Sequence, residues 1–458
     1  MIAAIPVWVL EWRGKLVRAQ AELGWVILGQ LAALLGGFAA IKVFTNLLGP
    51  AAYGQLALGI TIAGLVQMFV YGAIDQTVLR FVSVHRERGS LGVFFTALKR
   101  VHGFVAMLAI PTVFLAAGVI YFGVGVEWSR LVLLGGLSGI GSGFYGTLVS
   151  LHNGFRRRKI VALHQSLDVW LRLCLVVVAV IVFGATGSAA LVGYFLAAGV
   201  MAASMLYYSL KLSEVSENRE VLTQDKDAVR RTIREFFEFG RPFLYFALFG
   251  IVSAYADRWI IFGVLGAEAV GRYVAIYQLA NAPVVLAVGM MNQFVVPVIF
   301  DRAGAVATAA QSMQSTQVLY QAIAVFSVIM FFMVGAAYLF SELLVGLVTA
   351  PEFVAYHHLL WIVVLGVGIF QLAQLLVVKG LSHNATGGYV APKLFQAITL
   401  LGLLWMLTNR MGILGVPWAI VVSSTFYLCA VLWVNRGIGR IASSGGSAHR
   451  ERPSRSGA

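Results

Sequence analysis

Residues 156–183 read RRRKIVALHQSLDVWLRLCLVVVAVIVF, in which four consecutive basic side chains precede 24 mostly apolar residues. An α-helix needs about 20 such residues to cross the hydrocarbon core of a bilayer. Basic side chains at one end of a membrane helix mark its cytoplasmic end. The stretch therefore predicts a transmembrane helix that begins in the cytoplasm. It also contains His164, Asp168 and Arg172, and ionisable residues are rare within a span.

The same alternation of apolar stretches and basic gaps runs through the whole chain. Its 458 residues are 60% hydrophobic and only 11% charged, whereas soluble domains carry about 25% charged residues. Twelve apolar stretches can be distinguished, and 27 of the 33 lysines and arginines lie on one side of them. Arg130, Arg272 and Arg410 lie on the other side. The sequence predicts an all-α polytopic membrane protein of about twelve transmembrane helices.

The order of the stretches predicts how the chain is organised. Residues 1–20 are expected to lie at the membrane interface, residues 21–211 and 239–436 to form two six-helix lobes around a central cavity, and residues 437–458 to be a disordered basic tail. Residues 212–238 mix both charge signs and predict a solvated helix that serves as a cytoplasmic linker. An even number of spans places both termini in the cytoplasm. The predicted spans are 23–48, 53–78, 95–122, 130–152, 160–183, 188–211, 239–264, 269–299, 315–340, 357–380, 391–409 and 413–435.

Several other classes of function are disfavoured by the same residues. The net charge of +14 is distributed over the cytoplasmic loops and the tail, as membrane orientation requires, rather than in a patch for nucleic acid. The two cysteines, Cys174 and Cys429, both lie within spans and give no metal-ligand spacing. No nucleotide-binding loop of the form Gly-x4-Gly-Lys-Ser/Thr is present. We therefore predict no cofactor, no metal and no catalytic residues.

The chain also repeats itself. When residue 48 is aligned with residue 265, Leu48-Gly49 falls on Leu265-Gly266 and Asp75-Gln76 falls on Asn292-Gln293. The shift of 217 residues covers six helices, so the two halves have the same orientation in the membrane. Two lobes related in this way are typical of transporters.

Motifs in both halves resemble those of a known family. The outer turn Asn46-Leu47-Leu48-Gly49-Pro50-x-x-Tyr53-Gly54 is similar to its LGPxxYG signature, and Gly72-x-x-Asp75-x-x-x-x-Arg80-Phe81 follows in the second span. The second half has Asp257-Arg258-x-x-Ile261-x-x-x-Leu265-Gly266, followed by Gly271-x-Tyr273. Over residues 20–440 the chain resembles the Wzx-like O-antigen and polysaccharide flippases, whose superfamily includes lipid II flippases and drug/cation antiporters. The resemblance implies a V-shaped pair of lobes that moves undecaprenyl-diphosphate-linked glycans across the inner membrane.

His164, Asp168 and Arg172 are spaced at i, i+4 and i+8, so they lie on one face of the fifth helix. In one interpretation Arg172 binds the cargo diphosphate while His164 or Asp168 carries a proton for coupling or gating. In the other, Asp168 and Arg172 neutralise each other within the helix. The spacing does not choose between them.

Asp257 and Arg258 are adjacent and point in different directions, so each needs another helix or a watery cavity. We predict that both line a substrate-binding cavity, a role that the resemblance supports for Arg258. Gln278 and Asn281 in the next span either contact sugar hydroxyls or hold helices together.

Three more charged residues are candidates in the first two spans. Lys42 either contacts cargo or extends its ammonium to the outer interface. Asp75 and Arg80 either form an inner gate or, in the case of Arg80, mark the interface.

The resulting prediction is a flippase for a lipid-linked oligosaccharide, such as an O-antigen, capsule or exopolysaccharide unit, driven by an ion gradient or the membrane potential. Its expected partners are the cargo, membrane lipids, a coupling proton or sodium ion, and other polysaccharide assembly proteins. The alternatives are a drug or cation antiporter of the same superfamily and a membrane glycan polymerase or ligase. For an enzyme, the outward loops are too short to hold a catalytic domain.

Overall fold

The computed structural model describes residues 7–211, 226–303, 309–382 and 387–448. All regular structure in these ranges is helical. This agrees with the expected all-α architecture, since in lipid a helix satisfies every backbone hydrogen bond within its own segment. The chain divides into two compact units, unit 1 (Met1–Ile251) and unit 2 (Val252–Ala458).

Thirteen α-helices account for most of the described chain. A π-helical turn, Gln67–Tyr71, separates the first two helices, and short 3-10 turns at Gly387–Tyr389 and Gly412–Leu414 precede the last two. The helices are α1 Val7–Val66, α2 Gly72–Glu87, α3 Leu91–Gly123, α4 Val126–Gly154, α5 Arg158–Phe183, α6 Gly187–Leu210, α7 Lys226–Ala303, α8 Ala309–Leu339, α9 Ser341–Val348, α10 Pro351–Val354, α11 Leu359–Ser382, α12 Val390–Met411 and α13 Gly415–Ala448. Two helices longer than 30 residues, α1 and α3, lie in unit 1, and α7 crosses the boundary between the units.

Two of the longest helices are each interrupted by one glycine. α1 bends at Gly49 (φ 65°, ψ 175°) and α7 bends at Gly266 (φ 84°, ψ 177°). Both backbones have a positive φ, which glycine adopts without steric cost. These two glycines are aligned by the sequence repeat, so the structure gives the two halves the same bend at the same position.

The bends account for the number of spans. Nine stretches of the described chain are long and apolar enough to cross a membrane. Three of them contain two helical segments each, joined at Gly49, at Gly266 and at Gly412–Leu414. The nine stretches therefore correspond to the twelve predicted spans.

Glycines in α4 bring it close to the part of α1 that follows the bend. A methyl group at Gly135 would lie 2.6 Å from the carbonyl oxygen of Gly59, and one at Gly139 would lie 2.6 Å from that of Ala63. These distances are shorter than van der Waals contact, so only glycine permits the approach of the two backbones.

The first part of α7 was predicted to be a solvated linker helix. In the structure it instead buries one side against the other helices of unit 1. Val229 and Phe236 are buried in an apolar cluster with Val82 and Phe94, and Ile233 packs against it. Residues 229, 233 and 236 fall on one side of a helix, which is why this charge-mixed segment buries one face. Residues 212–225 of the predicted linker lie outside the described residues.

The two ends of the chain are described in part. Residues 7–20 are helical and continuous with the first span, while residues 1–6 lie outside the described residues. α13 continues to Ala448, so the predicted disordered tail is helical over its first part, where no proline interrupts the helix. Residues 449–458 lie outside the described residues.

Candidate functional site

Asp168 and Arg172 form an ion pair along α5. Nη2 of Arg172 lies 2.7 Å from Oδ2 of Asp168, and its Nε donates to Oδ1 at 2.9 Å. The guanidinium lies over the ring of Tyr194 in α6, 5.5 Å from its centroid. The arrangement is the intrahelical pair that one interpretation of the sequence foresaw. The Arg172 side chain nevertheless remains 29% exposed.

His164 lies on the same face of α5 and is bound at both nitrogens. Nδ1 is 2.9 Å from the carbonyl oxygen of Ile160, and Nε2 is 3.1 Å from Oγ of Ser204 in α6. A carbonyl oxygen only accepts hydrogen bonds, so Nδ1 carries a proton and donates it to Ile160. All three predicted residues of α5 therefore lie together beside α6.

Asp257 and Arg258 are buried in α7, with 7% and 8% of their surface exposed. Oδ2 of Asp257 accepts a hydrogen bond of 2.9 Å from the hydroxyl of Tyr273, and Oδ1 accepts one of 2.8 Å from the backbone N–H of Arg258. The Arg258 guanidinium lies 5.3 Å and 5.7 Å from the ring centroids of Tyr255 and Tyr277. Tyr273 and Tyr277 follow the bend at Gly266, so the second half of α7 supplies the helix that the two charged residues were predicted to need.

Gln278 and Asn281 lie in the same half of α7 as Tyr273 and Tyr277 and are partly buried.

Lys42 is also partly buried. It precedes the bend of α1 by about 10 Å of helix, and Arg258 precedes the bend of α7 by about 12 Å. The two units thus carry a basic residue at nearly the same helical distance before the same bend.

Asp75 lies in the first turn of α2, directly after the π-helical turn. Its Oδ1 accepts a hydrogen bond of 2.7 Å from Oγ1 of Thr147 in α4. Tyr71, the last residue of the π-turn, is buried against Gly143, where a methyl group would overlap its ring. π-Helical turns occur frequently at functional sites, and this one fixes the position at which Asp75 faces α4.

Arg80 lies further along α2 and is exposed. Its guanidinium is 4.8 Å from the ring centroid of Phe239, in the part of α7 that belongs to unit 1. Arg80 therefore contacts the segment that leads into the second half of the chain, away from the ion pair of α5.

The predicted residues thus fall into separate groups: one beside α6, one around Asp257 and Arg258, and one where α2 meets α4. Tyr273 was quoted only as part of a family motif and was not predicted as a site residue, and neither Tyr71 nor Lys393 was predicted. Lys393 in α12 lies against Phe370 and Tyr427, which come from α11 and α13. The neighbours of Lys393 are distant in sequence, so no local spacing could have identified it.

Within the described ranges, no group of three or more His, Cys, Asp or Glu side chains is arranged to hold a metal ion. An open crevice of about 780 Å³ in unit 2 is lined by residues from 338 to 357, and a second of about 650 Å³ by one face of α8. None of the predicted site residues lines either crevice.

Residues 20–303 match the family model described as polysaccharide biosynthesis protein. The chain belongs to this family. The match covers more than half of the sequence and includes every predicted site residue. A search among curated proteins gives no match.

The fold is similar to those of solved lipid flippase and multidrug transporter structures. The lipid II flippase MurJ in an inward closed conformation is similar with a TM-score of 0.67 at 13% identity, over 95% of this chain and 93% of that one. An inward-facing multidrug resistance transporter of the MATE family is similar with a TM-score of 0.62 at 14% identity, over 90% and 96%. A MOP superfamily transporter from Pyrococcus furiosus, for which reverse polarity of the binding pocket suggests a different function, gives a TM-score of 0.51 at 14% identity, over 92% and 95%. These similar structures are a lipid flippase and two transporters, and the likeness shows that the chain shares their fold.

Proposed function

We propose that the protein is a flippase that moves an undecaprenyl-diphosphate-linked oligosaccharide from the inner to the outer leaflet by alternating access. The cargo would be an O-antigen, capsule or exopolysaccharide unit. The match to the polysaccharide biosynthesis family supports this class of cargo. The likeness to a lipid II flippase supports a fold suited to it.

The observation that carries the proposal is that guanidinium groups are held within apolar helices. Placing a cation within a span costs at least about 2.5 kcal/mol. Arg258 is nevertheless buried among tyrosines, with 8% of its surface exposed, and Arg172 is held by Asp168 beside α6. Guanidinium groups bind phosphate oxygens through charge-assisted, bidentate hydrogen bonds. A diphosphate is therefore the ligand that suits these residues.

We assign roles to the remaining predicted residues on the same basis. Lys42 and Asp257 would complete the charged surroundings of the diphosphate, and Gln278 and Asn281 would bind sugar hydroxyls. His164, Asp168, Asp75 and Arg80 would take part in coupling or gating. The Thr147 hydroxyl is hydrogen-bonded to Asp75, and the Ser204 hydroxyl is hydrogen-bonded to His164. Each hydroxyl would pass a proton to or from its partner.

The flippase would reside in the bacterial inner membrane with both termini in the cytoplasm, and its two six-helix lobes would open alternately to each side of the membrane. Transport would draw on an ion gradient or on the membrane potential, which is worth about 2.3 kcal/mol per charge at 100 mV. A proton or a sodium ion is the proposed coupling partner.

Complementation of a strain that lacks the gene tests the proposal. Arg172→Ala and Arg258→Ala should each reduce surface glycan about tenfold to hundredfold, because a hydrogen bond to a charged group is worth about 1.5–3 kcal/mol. Arg172→Lys and Arg258→Lys should retain part of the export. Arg234→Ala serves as the control, since Arg234 forms an ion pair with Glu238 and its side chain is 82% exposed.

Protein levels in the membrane are measured for each variant, and glycan is compared at equal level. Normal export by both alanine variants would remove the two arginines from the mechanism. Drug resistance conferred by the wild type, without any effect on surface glycan, would instead indicate the antiporter that the fold also accommodates.

A further inference from the structure

Lys393, in the first turn of α12, places its ammonium against two aromatic side chains of unit 2. Its Nζ lies 4.2 Å from the ring centroid of Phe370 in α11 and 5.2 Å from that of Tyr427 in α13. The two rings are stacked on each other, with centroids 5.7 Å apart and an interplanar angle of 28°. We call Phe370 and Tyr427 the aromatic cradle.

The cradle is fixed in place by its surroundings. Tyr427 is buried, and its hydroxyl donates a hydrogen bond of 2.8 Å to Oε1 of Gln374, which lies one turn after Phe370 in α11. Both rings pack in an apolar cluster with Ala373 and Val431. Three different helices therefore hold the position of the ammonium.

The ammonium is directed toward the middle of the helices and not toward their nearer end. That end is marked by Asn435, which binds the Tyr389 hydroxyl and accepts a hydrogen bond of 3.2 Å from Nζ of Lys379 at its backbone oxygen. Lys393 follows Tyr389 by about 6 Å of helix, whereas Tyr427 precedes Asn435 by about 12 Å. A lysine near the end of a span usually extends its charge to the interface, as Lys379 does, but Lys393 points the other way.

The aromatic contacts do not fully balance the partial burial of this lysine. A cation–π contact contributes less than it costs to remove an ammonium from water. In the described part of the chain the contacts of the ammonium are the two rings. The guanidinium of Arg172, by contrast, is paired with the carboxylate of Asp168. An anion that joins Lys393 would supply the missing compensation.

We propose that Lys393 and the aromatic cradle form a phosphate-binding site in unit 2, and that its ligand is the diphosphate of an isoprenoid-linked cargo. The lipid source of the phosphate rests on the proposed function. An ammonium has three donors, and the rings occupy only one side of it, so its other N–H groups bind phosphate oxygens.

Equilibrium binding of farnesyl diphosphate to the purified full-length protein in lipid nanodiscs tests the site. Inorganic diphosphate and farnesol serve as the phosphate-only and lipid-only probes. Lys393→Gln should weaken binding of farnesyl diphosphate at least about tenfold, Lys393→Arg should keep most of it, and Phe370→Leu should give an intermediate loss. Lys211→Gln is the matched control, because Lys211 is exposed but also lies over a tyrosine ring, 4.3 Å from the centroid of Tyr207.

A second readout follows Lys393 directly. After reductive ¹³C-methylation of the lysines, the Lys393 resonance, assigned by its loss in Lys393→Arg, should shift on addition of farnesyl diphosphate while the Lys211 resonance stays in place. A folded Lys393→Gln protein that binds farnesyl diphosphate as tightly as the wild type would overturn the site. Equal binding of inorganic diphosphate would assign the site to a free phosphate anion and remove the lipid from the proposal.

The outcome is separable from that of the proposed function. If the wild-type gene fails to restore surface glycan while Lys393 still binds farnesyl diphosphate, the flippase proposal fails and the site stands. If export is normal, Lys393→Gln binds farnesyl diphosphate as tightly as the wild type and the Lys393 resonance of the wild type does not shift, only the site is refuted.

Discussion

Single tyrosines determine how an acid–base pair is accommodated in the apolar helix α7. The Tyr273 hydroxyl donates to Asp257, while Tyr277 presents its ring to Arg258. The two tyrosines are one turn apart and both lie after the bend, yet they serve the pair in different ways. Removing a hydroxyl should therefore matter at one position and not at the other.

We expect Tyr273→Phe to lower the free energy of unfolding by about 1–3 kcal/mol, because it leaves one oxygen of a buried carboxylate without its donor. Tyr277→Phe, which keeps the ring over Arg258, should change it much less. Unfolding of the two purified variants in the same detergent, followed by intrinsic fluorescence, provides the comparison. Equal stabilities of the two variants would show that the Tyr273 hydroxyl does not stabilise Asp257.

At the scale of whole elements, the packing of α4 on α1 depends on the absence of side chains. Gly135 and Gly139 are four residues apart and approach successive turns of α1. The start of α7 provides a second example of element packing, since its apolar face is buried against α2 and α3. The first contact requires glycine, whereas the second uses ordinary apolar side chains.

Gly139→Ala should reduce stability, because the added methyl group would lie 2.6 Å from the Ala63 carbonyl oxygen. Overpacking of this kind costs about 1–3 kcal/mol, which exceeds the roughly 1 kcal/mol that alanine gains over glycine in a helix. Gly199→Ala in α6 is the matched control, since a methyl group there meets no atom within 4 Å. The melting temperature should fall for the first variant and stay level or rise for the second; the reverse order would contradict the close approach of α1 and α4.

At the scale of the whole molecule, the orientation of the chain in the membrane follows from the distribution of basic residues. The structure exposes Arg88 in the turn after α2 and Ala185 in the turn between α5 and α6. The positive-inside rule assigns these turns to opposite sides of the membrane. Both can therefore report on topology.

In a variant without Cys174 and Cys429, both of which are exposed, single cysteines can be introduced by Ala185→Cys and Arg88→Cys. A membrane-impermeant maleimide added to spheroplasts should label Ala185→Cys and leave Arg88→Cys unlabelled until the membrane is permeabilised. Labelling of Arg88→Cys in intact spheroplasts would reverse the proposed orientation and place both termini outside.

The sequence could predict what depends on neighbours in the chain. The common face of His164, Asp168 and Arg172 follows from their spacing, and the spans follow from hydropathy. The Tyr273 hydroxyl that binds Asp257 was not predictable, because the chain bends between the two residues. The aromatic cradle of Lys393 was also missed, since it is assembled from two other helices, and the π-turn before Asp75 depends on backbone hydrogen bonding that residue type does not specify.

The matching bends at Gly49 and Gly266 are not accompanied by matching side chains. Under the same alignment, Asp257 and Arg258 correspond to Ala40 and Ile41. The two halves thus share the glycine at which the helix bends, while only the second half carries the charged dipeptide before it. Substitutions at equivalent positions of the two halves should therefore not be read as interchangeable.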